Sequence, residues 1–474
     1  MTPHSPGRRT RPSRPTRRGL LGRAVVFAGA AVACTPGEGL QDAAPRTGPA
    51  AGLGGRVVFY TRGGEVETRG QAEILIPTFK TVAPNVEVTH EVFSAASPDD
   101  SYTLKLFALY AAGSPPDVFG FGQNYFGFWA RGMVADVTQL IRRDRVDLNQ
   151  FHPGLPDKFK IKGKYYGLPQ LTTFGTLLFY NKTLFGNAGV PFPTLDWEDK
   201  SWTFDAMLDA ARKLTRNPGQ ADATYGLNYS IQGPHMHAWL WGGDAFLPEH
   251  WADGIALRTT LDSAESADGH QFTQDIRWKY QVTPRPGTDP TTGISFLNGR
   301  YAMDVNGGWN FWGFTVIKDF QWGVAALPTR VSNKNCNYND FWELSSQSGN
   351  ADASWAFIKH LVAPETQREY TRLTGTPPTS RAAMDVWYQR YDGLIPRADI
   401  EKVTQGAINP KRSQESGDHV LIDWTRLSQF YTPNVTTPLL ANQATARDIL
   451  SRARPGYDAI AREIYETFKG KTPG

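Results

Sequence analysis

Three groups of residues in this sequence have the types and spacing to do chemistry. The first is aromatic. Rings stand beside Gly, Asn or Asp in short polar settings: Gly120-Phe121-Gly122, Asn124-Tyr125-Phe126, Trp239-Leu240-Trp241-Gly242, Gly308-Trp309-Asn310 and Asp340-Phe341-Trp342. Flat, amphipathic rings in loop-like positions suit a surface that binds ligands with an apolar face and a polar rim. The competing assignment for Phe121, Trp309, Trp342 and Trp424 is core packing, because large rings are commonly buried. The second group is acidic: Asp99-Asp100, and Asp196 with Glu198 and Asp199. Paired carboxylates are the tools of glycoside hydrolysis, but these lie in turn-like contexts where Asp serves the backbone. The third is His235-Met236-His237. Read as a strand, it puts two imidazoles on one face, with no adjacent Cys or carboxylate cluster to complete a metal site. No metal and no catalytic group is expected. No nucleophile elbow, P-loop or glycine-rich phosphate loop is present.

The N-terminal stretch bears on where this chemistry happens. Arg17-Arg18 precede the apolar run Ala24–Ala33, and Ala31-Val32-Ala33 leads into Cys34. The run is too short to span a bilayer, which takes roughly 20 residues. The pattern is that of an export signal, twin-arginine-like, and the site before Cys34 resembles the lipobox of bacterial lipoproteins. Residues 1–33 are expected to be removed and Cys34 to carry lipid outside the cytoplasm. Residues 34–55, rich in Gly, Pro and Ala, then read as anchor and flexible tether. The net charge of +4 changes meaning as well. The first 33 residues hold seven arginines and no acid, so the remainder carries −3. A mildly acidic body gives no electrostatic footprint for nucleic acid. With Cys34 acylated, Cys336 stands alone and no internal disulfide is available.

The body must therefore be held by its core, and 441 residues suffice for two domains. Val57–Tyr60 reads as a buried strand, followed by a helix carrying Ile74, Leu75, Phe79 and Val82 that Pro77 would kink. An alternating strand, Val86–Val92, comes next. A helix with Tyr102, Leu106, Leu109 and Tyr110 inward and a short strand at Asp117–Phe119 complete a β-α-β-α-β series. That is the grammar of an α/β domain with a largely parallel sheet. Later come a strand at Thr176–Tyr180 and helices over Trp202–Leu214, Ala353–Val362, Ala444–Arg452 and Tyr457–Phe468. Residues 244–292 give no clear pattern.

Seven pieces, in order, resemble the extracellular solute-binding proteins of bacterial ABC importers, in the sugar-binding branch that includes maltose-binding protein. They are Pro116-Asp117-Val118; Gly163-Lys164-Tyr165-Tyr166-Gly167-Leu168-Pro169; Leu178–Phe185; Phe296–Met303; Trp322–Pro328; Ser354–Leu361; and Gly375–Ser380. The resemblance implies an α/β fold of two discontinuous lobes with a hinge between them. Lobe 1 would comprise residues 56–170 and 340–376, and lobe 2 residues 171–339 and 377–474. Crossovers fall near Pro169–Thr173, Asn339–Leu344 and Thr374–Thr379, and Gly299 would end a helix. The second crossover departs from the family's Gly-rich pattern with bulky and acidic residues that could reach the cleft.

The same resemblance implies site residues. Tyr60, Arg62 and Glu65 follow the first strand. Phe121, Gln123, Asn124 and Tyr125 run along the cleft floor. Gln232, His235, Trp309 and Trp424 belong to the second lobe, and Asp340 and Trp342 to the second crossover. The implied function is capture of a sugar or oligosaccharide by a monomeric, membrane-anchored receptor, without cofactor, for delivery to an ABC permease. A secreted carbohydrate-active enzyme and a sensory receptor of the same fold are the rivals.

Overall fold

In the computed structural model the described residues are 52–94, 99–120, 124–231 and 233–471. Cys34, Phe121, Gln123 and Gln232 lie outside them. Two sheets organise the chain. The first runs in the order Asn85–Ser94, Gly54–Gly63, Val118–Gly120, Asn339–Leu344, Leu168–Thr172. Its first three strands are parallel, as the β-α-β-α-β pattern requires, with Gly54 to Gly63 paired against Asn85 to Ser94. Asn339–Leu344 then pairs antiparallel with both of its neighbours. The second sheet runs Trp322–Ala325, Thr176–Asn181, Tyr301–Gly307, Tyr225–Tyr229. Thr176–Asn181 is antiparallel to each strand beside it.

The passages between sheets are short and tied to one another. Thr172 to Thr176 moves directly from the first sheet to the second, turning through Phe174 and Gly175 at φ of 60° and 70°. Asn335–Asn337 and Asn339–Leu344 return the chain to the first sheet. The Thr173 amide N–H donates to Tyr338 O at 3.3 Å. From the third passage, Thr379 Oγ1 donates to Pro169 O at 3.0 Å. Each passage thus satisfies backbone groups of another, which buried backbone demands.

Three apolar cores follow from this layout. Val57, Phe59, Val118, Trp342, Trp355 and Phe357 fill one face of the first sheet. Leu177, Phe179, Met303, Trp322 and Trp387 pack around the second. A third core joins Tyr60, Phe119, Phe128 and Trp129 to Leu427, Tyr457 and Ile464 of the C-terminal helices.

Several local expectations change in the structure. Pro77 does not end the helix. The helix runs from Glu65 to Val82 with a wide π segment, Gln71–Leu75, just ahead of the proline. The wider turn accommodates a residue that cannot donate an amide bond. The two C-terminal helices are one, Ala446–Phe468, with Pro455 inside. Its buried face continues through Ile449, Ala453, Tyr457, Ala461 and Ile464, so packing outweighs the proline penalty. No helix precedes Gly299. Residues 295–298 form a turn in which the Ser295 and Asn298 side chains bond each other's backbone N–H groups. His235 and His237 lie on a helix, Gly233–Leu240, so the two imidazoles point to different sides instead of sharing a strand face. Residues 244–292 contain the helix Ala264–Trp278. Its buried face is Ser266, Ala267, Gly269, His270, Thr273, Gln274 and Ile276, of which only Ile276 is a large apolar residue, so it gives no apolar period. Asp196 and Asp199 accept backbone bonds from Glu198 and Ser201 at 2.9 and 2.8 Å, the turn role their context suggested.

His237 and His270 stack with ring centroids 4.2 Å apart. His270 Nδ1 lies 2.6 Å from Ser266 O, and Nε2 lies 2.5 Å from the Tyr431 hydroxyl. Burial lowers His270 to about 4 from its ordinary 6.5. The neutral ring is the form that packs, so its stabilisation is complete above pH 6.5 and is lost as pH falls toward 4. The cost is roughly 2 kcal/mol at pH 5. His90, His152, His235, His237, His250 and His360 are lowered by burial as well, so urea unfolding between pH 7 and 5 should lose roughly 2 kcal/mol less in His270→Gln than in the parent; an equal loss in both proteins would remove His270 as a source.

Candidate ligand-binding site

Between the two sheets runs a buried band of polar and aromatic side chains. Its spine is the second passage, Asn335 to Leu344. Alternation along an extended chain turns Tyr338 and Asp340 to one side and Asn337 and Asn339 to the other. Asn335–Asn337 pairs in parallel with Ser413–Glu415, which brings a C-terminal segment alongside. Glu415 then reaches the spine. The Asn339 amide N–H donates to its Oε1 at 3.0 Å and Asn339 Nδ2 to its Oε2 at 2.6 Å. One turn further on, His419 Nδ1 lies 2.6 Å from Glu415 Oε1, and its Nε2 is 3.9 Å from Asp340 Oδ1.

The electrostatics follow from this crowding. Burial alone would lower His419, but Asp418, the bonded Glu415 and Asp340 outweigh it and raise the imidazole to about 9. Burial raises Asp340 to about 6, opposed by His419 and Arg62 and assisted by Glu415 and Asp418. Glu343 is pushed well above the usual carboxylate range by burial and then by Asp340. Asp418 is raised, burial again being the largest cause.

Aromatic rings border the carboxylates. Tyr125 lies 5.4 Å from the His419 ring and also packs on Phe341. Tyr338 stands edge-on to Trp309 at 5.2 Å. Trp309 is half-buried, and its seat requires glycine. A Cβ on Gly307 would lie 2.2 Å from the indole, and one on Gly308 would lie 1.7 Å from Thr173 O. On the opposite flank Tyr60 stacks on Tyr102 at 5.4 Å.

The residues expected at the site distribute as follows. Tyr60, Arg62, Tyr125, Trp309 and Asp340 belong to the band. His235 and half-buried Trp424 extend it: their rings are 6.0 Å apart, and His235 Nε2 is 3.5 Å from Cys336 Sγ. Asn124 is in the band's floor, but its side chain is committed to capping a helix, accepting from Gly127 N at 3.1 Å. Trp342 packs on Phe59 at 5.3 Å in the first sheet's core. Glu65 is exposed at a helix start. Five participants were missed: Tyr338, Glu343, Glu415, Asp418 and His419. The last three had a readable signal, two acids and a histidine at i, i+3 and i+4, which share a helix-like face. Among the described residues no group of three or more His, Cys, Asp or Glu is arranged to hold a metal.

A family model described as bacterial extracellular solute-binding protein matches residues 76–394. The chain belongs to this family. A solute-binding protein of this kind works outside the cytoplasm, and the family consists of binding proteins, not enzymes. A binding protein of Brucella abortus is 22% identical over 348 residues, 69% of this chain and 79% of that one. The sn-glycerol-3-phosphate-binding periplasmic protein UgpB of Escherichia coli K12 is 24% identical over 218 residues, 44% of this chain and 48% of that one. Among solved structures, an ABC substrate-binding protein from Listeria monocytogenes in complex with cycloalternan matches with a TM-score of 0.70 at 22% identity. That match covers 86% of this chain and 99% of the other. The sugar-binding protein MalE of Xanthomonas citri matches at 0.68 and 20%, covering 88% and 100%. At these identities the structures establish the fold: two α/β lobes of the solute-binding type.

Glu415→Gln tests the electrostatic centre. His419 should titrate near 9 in the parent protein, followed by NMR of the imidazole, and should move down by more than a unit in the variant. Because the folded pKa lies above 6.5, the pair's contribution is complete below pH 6.5 and disappears as pH rises through about 9. The variant should therefore be destabilised by roughly 2–3 kcal/mol at pH 6, and the gap should narrow by pH 10. A gap independent of pH would remove the ion pair as its cause.

Proposed function

We propose that this protein captures a sugar or oligosaccharide between its two lobes and delivers it to an ABC permease. The observation that carries the reading is the band itself. A neutral sugar presents an apolar ring face and a rim of hydroxyls. Trp309, Tyr338 and Tyr125 supply aromatic faces, while Asp340, Glu343 and Asp418 supply acceptors in a buried setting where each unpaired polar group costs roughly 1–3 kcal/mol. The sugar complexes of fold neighbours, cycloalternan among them, support the same class of ligand. A phosphorylated ligand of the kind named for UgpB fits less well, because four carboxylates crowd the band. The carboxylates act here as hydrogen-bond acceptors and carry no catalytic step.

Capture works by differential affinity. A ligand touching both lobes binds the closed arrangement more tightly than the open one, and that difference shifts the population. In this reading lobe 1 comprises residues 56–170 and 340–376, lobe 2 comprises residues 171–339 and 377–474, and the protein acts as a monomer. Removal of residues 1–33 and lipid on Cys34 keep it beside the permease, with residues 34–55 as the tether.

Trp309→Ala should weaken the best sugar found in a thermal-shift screen by roughly 1–3 kcal/mol in calorimetry. Unchanged affinity would return Trp309 to a packing role. Cys34→Ala, expressed in a bacterium that exports lipoproteins, should move the protein from the membrane to the soluble fraction. Retention at the membrane would overturn the lipid anchor.

A further inference from the structure

The second passage has two sides, and the side turned away from Tyr338 and Asp340 borders a cavity of its own. Its polar walls are His152, Lys158, Thr172, Asn337, Asn339 and Ser413. Thr172 brings the first passage to it, and Asn337 and Asn339 the second. The third arrives through Pro378, whose O lies 3.2 Å from His152 Nε2. The space is about 10 Å³, which suits one water-sized molecule and nothing larger. Among the described residues, two atoms of these walls find no hydrogen-bond partner: His152 Nδ1 and Asn337 Oδ1. Their residues are 2% and 1% exposed. Both atoms are acceptors. A carbonyl can only accept, so His152 Nε2 carries the proton that faces Pro378 O. Burial lowers the ring to about 4, so at pH 7 it is neutral and Nδ1 keeps its lone pair. Asn337 Nδ2 donates to Ser413 Oγ, which leaves Oδ1 over. One donor is also to spare. Lys158 Nζ gives one N–H to Ser413 O at 2.9 Å, and an ammonium has three.

We propose that this cavity is the binding site of a single water molecule that joins His152 and Lys158 to Asn337. The donor arithmetic selects water. Its two O–H groups serve His152 Nδ1 and Asn337 Oδ1, and its oxygen accepts from Lys158 Nζ. Three bonds are the usual number for a buried water. A bare cation would suit the two acceptors but would meet the Lys158 ammonium. An anion would suit the ammonium but would face two lone pairs. The bridge has a place in the molecule's mechanics. In the lobe division proposed above, His152 and Lys158 belong to lobe 1, and Asn337 and Ser413 to lobe 2. The water therefore links the lobes beside their passages, whatever solute the opposite side of the spine receives. A bond made through water is enthalpically close to a direct one.

Crystals of the full chain grown at pH 7 in a rubidium salt, diffracting well enough to show ordered water, test the site. One density peak should lie within hydrogen-bonding distance of His152 Nδ1, Asn337 Oδ1 and Lys158 Nζ, with no anomalous signal at the rubidium edge. An anomalous peak would assign the cavity to a cation and overturn the water. A cavity without density would overturn it as well, and so would Lys158 Nζ turned from Ser413 O onto Asn337 Oδ1. Deuteron relaxation dispersion of the solvent gives a second readout, because it counts long-lived waters in solution. Asn337→Leu and His152→Leu should each lose one such water relative to the parent. Two substitutions are used so that a folding defect in one does not decide the outcome. An unchanged count in a folded variant would overturn the proposal.

Discussion

The arrangement of the buried polar band depends on one carboxylate. Glu415 is 4% exposed and sits where charge is expensive unless it is matched. It is matched by three donors from two directions: the backbone and side chain of Asn339, and the His419 ring. Those bonds fix the second passage against the C-terminal segment. They also fix His419 beside Asp340, and Tyr125 beside His419. Removing the carboxylate leaves a buried imidazolium with its nearest hydrogen-bonded anion gone, so the penalty falls on groups that do not touch Glu415 directly. Parallel pairing of Asn335–Asn337 with Ser413–Glu415 supplies the register that makes the match possible. A slip of one residue would exchange Asn337 for Cys336 opposite Glu415 and turn the carboxylate away from Asn339.

Close backbone approach supplies the other half of the site. Trp309 lies over Gly307 because nothing larger fits there, and Gly308 lets the strand end meet Thr173. The loop after Tyr301–Gly307 is thereby held against the first passage, and the indole is brought edge-on to Tyr338 of the second. Arg131 and Asp423 form an ion pair at the rim, where the short helix Tyr125–Ala130 meets the C-terminal helices. Apolar contact does the same beneath it, through Phe128 and Trp129 against Leu427 and Tyr457. Rings, ion pair and carboxylates therefore lie on surfaces brought together by the same few passages.

What was legible in the sequence divides along physical lines. Strands buried on both faces, such as Val57–Tyr60 and Thr176–Tyr180, announce themselves as apolar runs, and the parallel order follows from the β-α-β series. Helices whose buried face is apolar, such as Ala351–Leu361, were equally plain. Ala264–Trp278 was hidden because its buried face is built from Ser, Gly, His, Thr and Gln that bond across to other helices. The single helix through Pro455 was hidden because local propensity opposes it and only tertiary packing sustains it. At the candidate site, the aromatic neighbours of glycine include Trp309, which lies in the band edge-on to Tyr338. Asp340 stood out as an acid in an aromatic setting. Asn124 and Trp342 belong to the same segments, yet side-chain direction sends one to a helix cap and the other into the core. Direction at a single position depends on a bulge, and the register of Asn339–Leu344 against Leu168–Thr172 shifts between Asp340 and Phe341. Glu415, Asp418 and His419 share a local spacing, but that spacing does not say where they point. Their partners lie 76 residues away in Asn339 or on the first sheet, and no local pattern encodes that distance.

Unmatched acceptors in a buried band have a consequence for the energetics of capture. Glu343 Oε2 and Asp418 Oδ1 are buried without a hydrogen-bond partner, a cost that any arrangement exposing them to water would relieve. A ligand bearing the missing donors removes that cost in the closed state only. Its affinity for the closed state exceeds its affinity for the open one by the same amount. That difference is the quantity that sets how far a ligand shifts the population. Replacing the unmatched carboxyls with apolar groups of similar shape would make the closed state comfortable without ligand and would weaken the coupling between binding and closure. In the proposed capture cycle, a polar mismatch that costs stability without ligand gives a donor-bearing ligand its leverage over closure.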